Sequence, residues 1–168
     1  FVVGAQGRSL YKECKKCKLF HNPDDNVCPT IIKNHVKWVN IPERFEISQH
    51  FYNIWSAKQY IKQSQAVVLV EGAPNVWRLE EAGIKNSLAL CGSNLSDAQQ
   101  IMLEMLGIHT IYSLPDNDKA GKEWSAQIHE RLRRQFKVVT IEIPAEYNDV
   151  AEIPIHILKE IMKGYVCL

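Results

Sequence analysis

From residue 66 onward, short apolar runs alternate with stretches whose apolar residues recur at helical spacing. Val67-Val68-Leu69-Val70 is apolar throughout and β-branched at three of four positions, the pattern of a strand covered on both faces. It stops at Glu71-Gly72, so a carboxylate stands where the strand gives way to a loop. A helix is predicted over about 74–83, with Pro74 suited to its first turn and Gly83 to its stop. Ser87 to Cys91 reads as a second strand. Ser96-Asp97-Ala98-Gln99 is a capping-box start for a helix that carries Ile101, Leu103, Met105 and Leu106 to Gly107. A strand at 109–114, a helix from Lys119 to Gln135, a strand at 138–143 and a helix over about 153–163 complete the series. Successive strand–helix units of this length predict an α/β fold, a parallel sheet flanked by helices.

The first 65 residues follow a different rhythm. Residues 1–12 read as a strand, a glycine-rich turn (Gly4, Gly7) and a basic tip (Arg8, Lys12). Residues 13–30 form a Cys-, Lys- and Asp-rich insertion with little apolar periodicity, and 31–47 read only as extended chain or loop. Ile54, Trp55, Ala57, Lys58 and Ile61 fall at the spacing of an amphipathic helix over 53–64. The chain therefore divides, by pattern, into an N-terminal part at 1–65 with its insertion and an α/β domain at 66–168.

Composition changes this picture little. With 168 residues, 46% hydrophobic and 23% charged, the chain is globular and long enough for one domain with a small appendage. A net charge of +1 gives no whole-chain argument for a polyanion partner, so any such argument is local. No apolar stretch approaches a membrane span. The chain opens on Phe1 without a Met, as a piece of a longer protein would.

The cysteines do change it. Five is an odd number, and Cys14, Cys17 and Cys28 crowd one stretch, which favours a reducing compartment, the cytoplasm, and a metal site over a disulfide framework. Cys14-x2-Cys17-x3-His21-x6-Cys28 offers the ligands of a closed tetrahedral Zn²⁺ site, with His35 as rival to His21. The competing reading is a loop with incidental thiols. Cys91, in a strand, reads as core.

Two predicted strands end on acids: Glu71 after the first, Asp116 and Asp118 after the third. In a parallel sheet such strand ends share one edge, where ligands bind. Acids gathered there repel one another unless a cation is present, and an oxygen-only cluster suits Mg²⁺ or Mn²⁺. The bland alternatives are a helix N-terminal acid for Glu71 and a helix cap for Asp118. Arg8, Lys12, Lys15, Lys16 and Lys18 lie close together, opposed only by Glu13. They read either as a solvated loop or as a track for phosphates.

Val70-Glu71-Gly72 and Asp116-Asn117-Asp118-Lys119-Ala120-Gly121 resemble the two motifs of the Toprim domain. Leu79 to Ile84, Ala89 to Ser93 and Leu95 to Gln99 fall in the order found in DnaG-like bacterial and phage primases. Gly4-Ala5-Gln6-Gly7-Arg8 and the stretch from His50 to Lys58 resemble segments upstream of their Toprim domain. The resemblance implies a Rossmann-like Toprim fold and the catalytic core of a DNA primase. Such a core would make RNA primers from ribonucleoside triphosphates on single-stranded DNA, with a replicative helicase as a further partner and no membrane. It implies Glu71 as the acid/base residue and Asp116 and Asp118 as ligands of Mg²⁺ or Mn²⁺, joined by Asp149 from Tyr147-Asn148-Asp149, whose alternative role is a helix N-cap. Arg8, Lys12, Lys58, Ser93 and Lys119 are the candidate nucleotide or nucleic-acid contacts. The chain departs from the pattern at Asn75, where these primases commonly carry Asp; an amide oxygen can still serve as a ligand. A Toprim nuclease or topoisomerase fragment, and a non-catalytic Toprim nucleic-acid-binding module, are the competing functions.

Overall fold

The computed structural model describes residues 45–165 and, upstream of them, 5–8, 12–13, 18, 20–21 and 38–41. The chain forms two compact units, Phe1–Glu46 and Ile47–Leu168. In the first, strands β1 (Ala5–Arg8), β2 (Lys12–Glu13), β3 (Phe20–His21) and β4 (Trp38–Ile41) make two antiparallel ladders. β1 pairs with β4, Arg8 opposite Trp38 and Gly7 opposite Val39. Gly7 and Arg8, expected in a turn and at its tip, thus belong to a strand, because a distant segment supplies a pairing partner that local glycine content does not announce. Cys14, Cys17, Cys28 and His35 lie outside the described residues, and His21 is described only as the backbone of β3.

The second unit runs α1 (Ile54–Ser64), β5 (Ala66–Val70), α2 (Ala73–Glu81), β6 (Ser87–Ala89), α3 (Asp97–Met105), β7 (Thr110–Ser113), α4 (Lys119–Leu132), β8 (Lys137–Thr140), a 3-10 turn (Val150–Glu152) and α5 (Ile155–Met162). The four strands are parallel in the order β6-β5-β7-β8. The chain leaves β5 toward β6 on one side and returns to place β7 on the other. That reversal makes the carboxyl ends of β5 and β7 a topological switch point, the place where open α/β sheets bind ligands.

The all-apolar β5 has a simple cause: both faces are covered. Val67 and Leu69 pack with Ala57 and Ile61 of α1, Leu103 of α3, and Trp124 and Ile128 of α4. Val68 and Val70 pack with Val76 and Leu79 of α2, Val150 and Ile153, and Leu158 and Met162 of α5. Ser96 caps α3 through the full capping box with Gln99, and Gly83 ends the turn after α2 at φ +90.

Three boundaries differ from the sequence pattern. β6 stops at Ala89, and Cys91 lies beyond it in the left-handed region at φ 54, so it is a half-buried loop residue and not a strand residue. β8 ends at Thr140, although the Ile141 amide still donates to the Ser113 carbonyl at 2.9 Å. α4 stops at Leu132, short of the expected Gln135, whereas α5 falls within the expected 153–163, with Pro154 at its N-cap after a separate 3-10 turn.

Candidate active site

The site is built at the carboxyl ends of β5 and β7. The Leu114 amide donates to the Leu69 carbonyl at 2.9 Å, and Cys91 donates to the Glu71 carbonyl at 2.8 Å, so neighbouring strands fix the backbone on which Glu71 stands. Its half-buried carboxylate accepts the Asp116 N–H at Oε1, 3.1 Å. Two residues named from opposite ends of the domain are therefore in direct contact.

The Asp-Asn-Asp-Lys-Ala-Gly segment acts as one mechanical part. Asp118 caps α4, its Oδ1 accepting the Gly121 N–H at 2.7 Å. Gly121 itself lets the helix start against the strand end. A Cβ there would sit 2.2 Å from the Asp116 carbonyl oxygen and 2.9 Å from the same residue's C and N. Asn117 turns the other way: its Nδ2 donates to the carbonyls of Pro144 (2.9 Å) and Tyr147 (2.8 Å), and its N–H to Asn148 (2.7 Å). It thereby pins the arm after β8 that carries Asp149. Asp149 caps the 3-10 turn, its Oδ1 accepting the Glu152 N–H at 3.1 Å. The final helix α5 has Pro154 at its N-cap instead, so Asp149 caps the turn before that helix, and its charge acts on Asp116.

Asn75 completes the cluster. It is 4% exposed, its Nδ2 donates to Asp116 Oδ1 at 3.1 Å, and its Oδ1 accepts the Ala151 N–H at 3.2 Å. Its oxygen is thus engaged by the Ala151 N–H.

Electrostatics mark the cluster as under-neutralised. Burial, then the charges of Glu71, Asp149 and Asp118, push Asp116 up to about 7 against the one favourable hydrogen bond from Asn75. Glu71 is raised by burial and by Asp118, with the Asp116 N–H opposing. Burial also lifts the Cys91 thiol to about 11, which keeps it protonated and unreactive near neutrality.

In each of Glu71, Asp116, Asp118 and Asp149 one carboxylate oxygen is held by a protein donor, which leaves the second as a hard ligand. That donor set fits Mg²⁺ or Mn²⁺. Among the described residues no three acid, histidine or cysteine side chains already surround one point, so closure would fall to the ion and its waters. Asp116 and Asn117 also border an open pocket of about 730 Å³, with Lys122, His129, Thr140 and Glu142 on its walls, a size within the range of small-molecule sites.

Other predicted residues are not gathered here. Lys119 is exposed and pairs with Glu123 at 3.5 Å. Ser93 sits in the exposed loop after β6, its Oγ accepting from Asn94. Lys58 lies on a separate groove with Trp55, Lys62, Glu80 and Lys85. Arg8 and Lys12 belong to the first unit. Conversely, Asn117 and Gly121 were legible only as motif letters, and their clamp and close approach emerge from the fold.

A Toprim-domain family profile matches residues 65–142, and the DNA primase of Aquifex aeolicus is 30% identical over 148 residues, 88% of this chain. Residues 65–142 are a Toprim domain. The chain spans 26% of that primase's length. The solved Aquifex aeolicus primase, comprising zinc-binding and RNA polymerase domains, superposes with a TM-score of 0.66 at 27% identity, covering 79% of this chain and 34% of that one. The RNA polymerase domain of Mycobacterium tuberculosis primase DnaG gives a TM-score of 0.71 at 21% identity over 96% of this chain and 50% of its own, a likeness of fold. In this Toprim domain the two family motifs coincide with the switch-point acids. Among the described residues, no helix is long and apolar enough to cross a membrane.

Proposed function

We propose that this chain belongs to the catalytic core of a DNA primase, joining ribonucleotides from their triphosphates on a single-stranded DNA template. One observation supports the reading: at the switch point of a Toprim sheet Glu71 accepts the Asp116 N–H, the charges of Glu71, Asp149 and Asp118 act on Asp116, and each of these four acids has one oxygen held by a protein donor. Bound Mg²⁺ or Mn²⁺ would supply charge neutralisation for the reacting phosphates. Glu71 takes the proton of the attacking 3′-hydroxyl at its carboxylate, whose affinity for protons is raised by burial. Lys119 and Ser93, with Arg8, Lys12 and Lys58, are assigned to phosphates of nucleotide or template, and Cys14, Cys17, His21 and Cys28 to a Zn²⁺ knuckle, on sequence grounds.

The test is template-directed dinucleotide synthesis by the full-length protein. Glu71→Gln should lower the rate by about 10²–10⁴-fold with the fold intact by circular dichroism. Synthesis at the wild-type rate in that variant would overturn the role given to Glu71.

A further inference from the structure

We infer that Asn75 is a positioning residue that sets Asp116 and couples it to the arm bearing Asp149. The inference rests on the metal-site reading above and deepens it. Asn75 is fully inside the protein, yet both ends of its amide are used, one on a carboxylate and one on a backbone N–H. A planar group of fixed length therefore spans from the end of β7 to the 3-10 turn. Ala151, at the far end, is gripped a second time from α2, where Arg78 Nε donates to its carbonyl at 2.9 Å. The turn it belongs to is the one Asp149 caps. Asp116 follows β7 and Asp149 lies in the arm after β8, and this amide touches both the one acid and the turn of the other.

The chemistry of the amide matters as much as its reach. Its N–H favours the ionised form of Asp116, whereas an acid at this position would present oxygen to oxygen. The chain has exchanged one negative charge for a neutral brace. A brace of this kind fixes a carboxylate before any cation arrives, as outer-shell partners of metal ligands do, and their loss typically weakens metal binding by about 10–100-fold.

The experiment is Mn²⁺ binding to the full chain by electron paramagnetic resonance, with melting followed in EDTA and in Mn²⁺. Asn75→Ala is expected to remain folded and to bind Mn²⁺ about 10-fold more weakly. Asn75→Asp keeps an oxygen for the Ala151 N–H but sets a further carboxylate against Asp116. It should melt lower than wild type in EDTA and gain more from Mn²⁺ than wild type does. A folded Asn75→Ala with wild-type Mn²⁺ affinity would show a structural role only and overturn the inference. If Asn75→Ala does not fold, Asn75→Asp decides alone: an Mn²⁺ response equal to wild type rejects the coupling. Wild type that binds no Mn²⁺, or binds it equally well after Asp118→Asn, would instead remove the parent reading.

Discussion

Two buried asparagines sit at opposite ends of the same sheet and do opposite work. Asn86, 6% exposed and just ahead of β6, donates from Nδ2 to Ser64 Oγ (3.3 Å) and to the Ala66 carbonyl (3.0 Å). Its own carbonyl accepts the Val68 N–H at 3.0 Å. Every partner is neutral, so the cluster is complete once the chain has folded. Asn75, 4% exposed at the other end of β5, places its N–H groups on a carboxylate surrounded by three more. The same residue type at the same depth closes a polar accounting in one place and leaves it open in the other. The open account is the functional one, because a group left wanting a counter-charge inside a stable frame is what recruits an ion.

The largest effect expected at the acid end is that of Gly121→Ala. The added methyl would meet backbone atoms of Asp116, which have no flexible side chain to move aside. Either α4 withdraws or Asp116 is displaced, and both separate Asp116 from Glu71. Primer synthesis should fall by more than about 10²-fold, and urea denaturation should show a loss of about 1–3 kcal/mol. Wild-type activity in a folded Gly121→Ala protein would mean that the contact between Glu71 and Asp116 is incidental.

At the neutral end, Asn86→Ala removes a donor from the buried Ala66 carbonyl and one from the part-buried Ser64 hydroxyl and should cost about 2 kcal/mol. It should leave Mn²⁺ affinity unchanged, in contrast to Asn75→Ala. Denaturation and Mn²⁺ titration on the same preparation make the comparison direct. A drop in Mn²⁺ affinity from Asn86→Ala would dissolve the distinction between the two ends.

Much of this was legible in the sequence, and for physical reasons. β5 announces itself because burial on both faces demands an unbroken apolar run, and a short strand cannot compensate for a polar interruption. Asp118 and Ser96 were readable as caps because a helix start has orphan N–H groups that only a few side chains satisfy. What sequence could not supply was pairing at a distance. Nothing local places Gly7 opposite Val39, or sends Asn117 to the carbonyls of Pro144 and Tyr147. Asn75 illustrates the same limit. Its identity marked a departure, but whether its oxygen faced an ion or the Ala151 N–H depended on a turn 76 residues away. Cys91 misled for a related reason: one residue in the left-handed region ends a strand, and φ is not written in an apolar pattern.

The subtlest test of the open account is its pH dependence without metal. Asp116 holds its proton in the folded protein up to about pH 7, whereas in the unfolded chain it releases it near pH 4. Between those values the unfolded chain sheds a proton that the folded one keeps, so stability is full below about pH 4 and declines as pH rises to about 7. Glu71 is shifted in the same direction and adds to the decline. Glu152, lowered by the amides of Asn148, acts with opposite sign but at the acid end of the range, below the ordinary glutamate value. For a half-exposed group the loss is discounted to about 1–2 kcal/mol between pH 5 and 8. Melting in EDTA should therefore fall over that range, and Asp116→Asn should flatten the profile. Because a cation binds the ionised form, Mn²⁺ should protect more at pH 8 than at pH 5, inverting the metal-free trend. A metal-free protein that melts equally at pH 5 and 8, with Asp116→Asn superimposable on it, would show that the acids are already compensated within the chain and that the two ends of the sheet do not differ in kind.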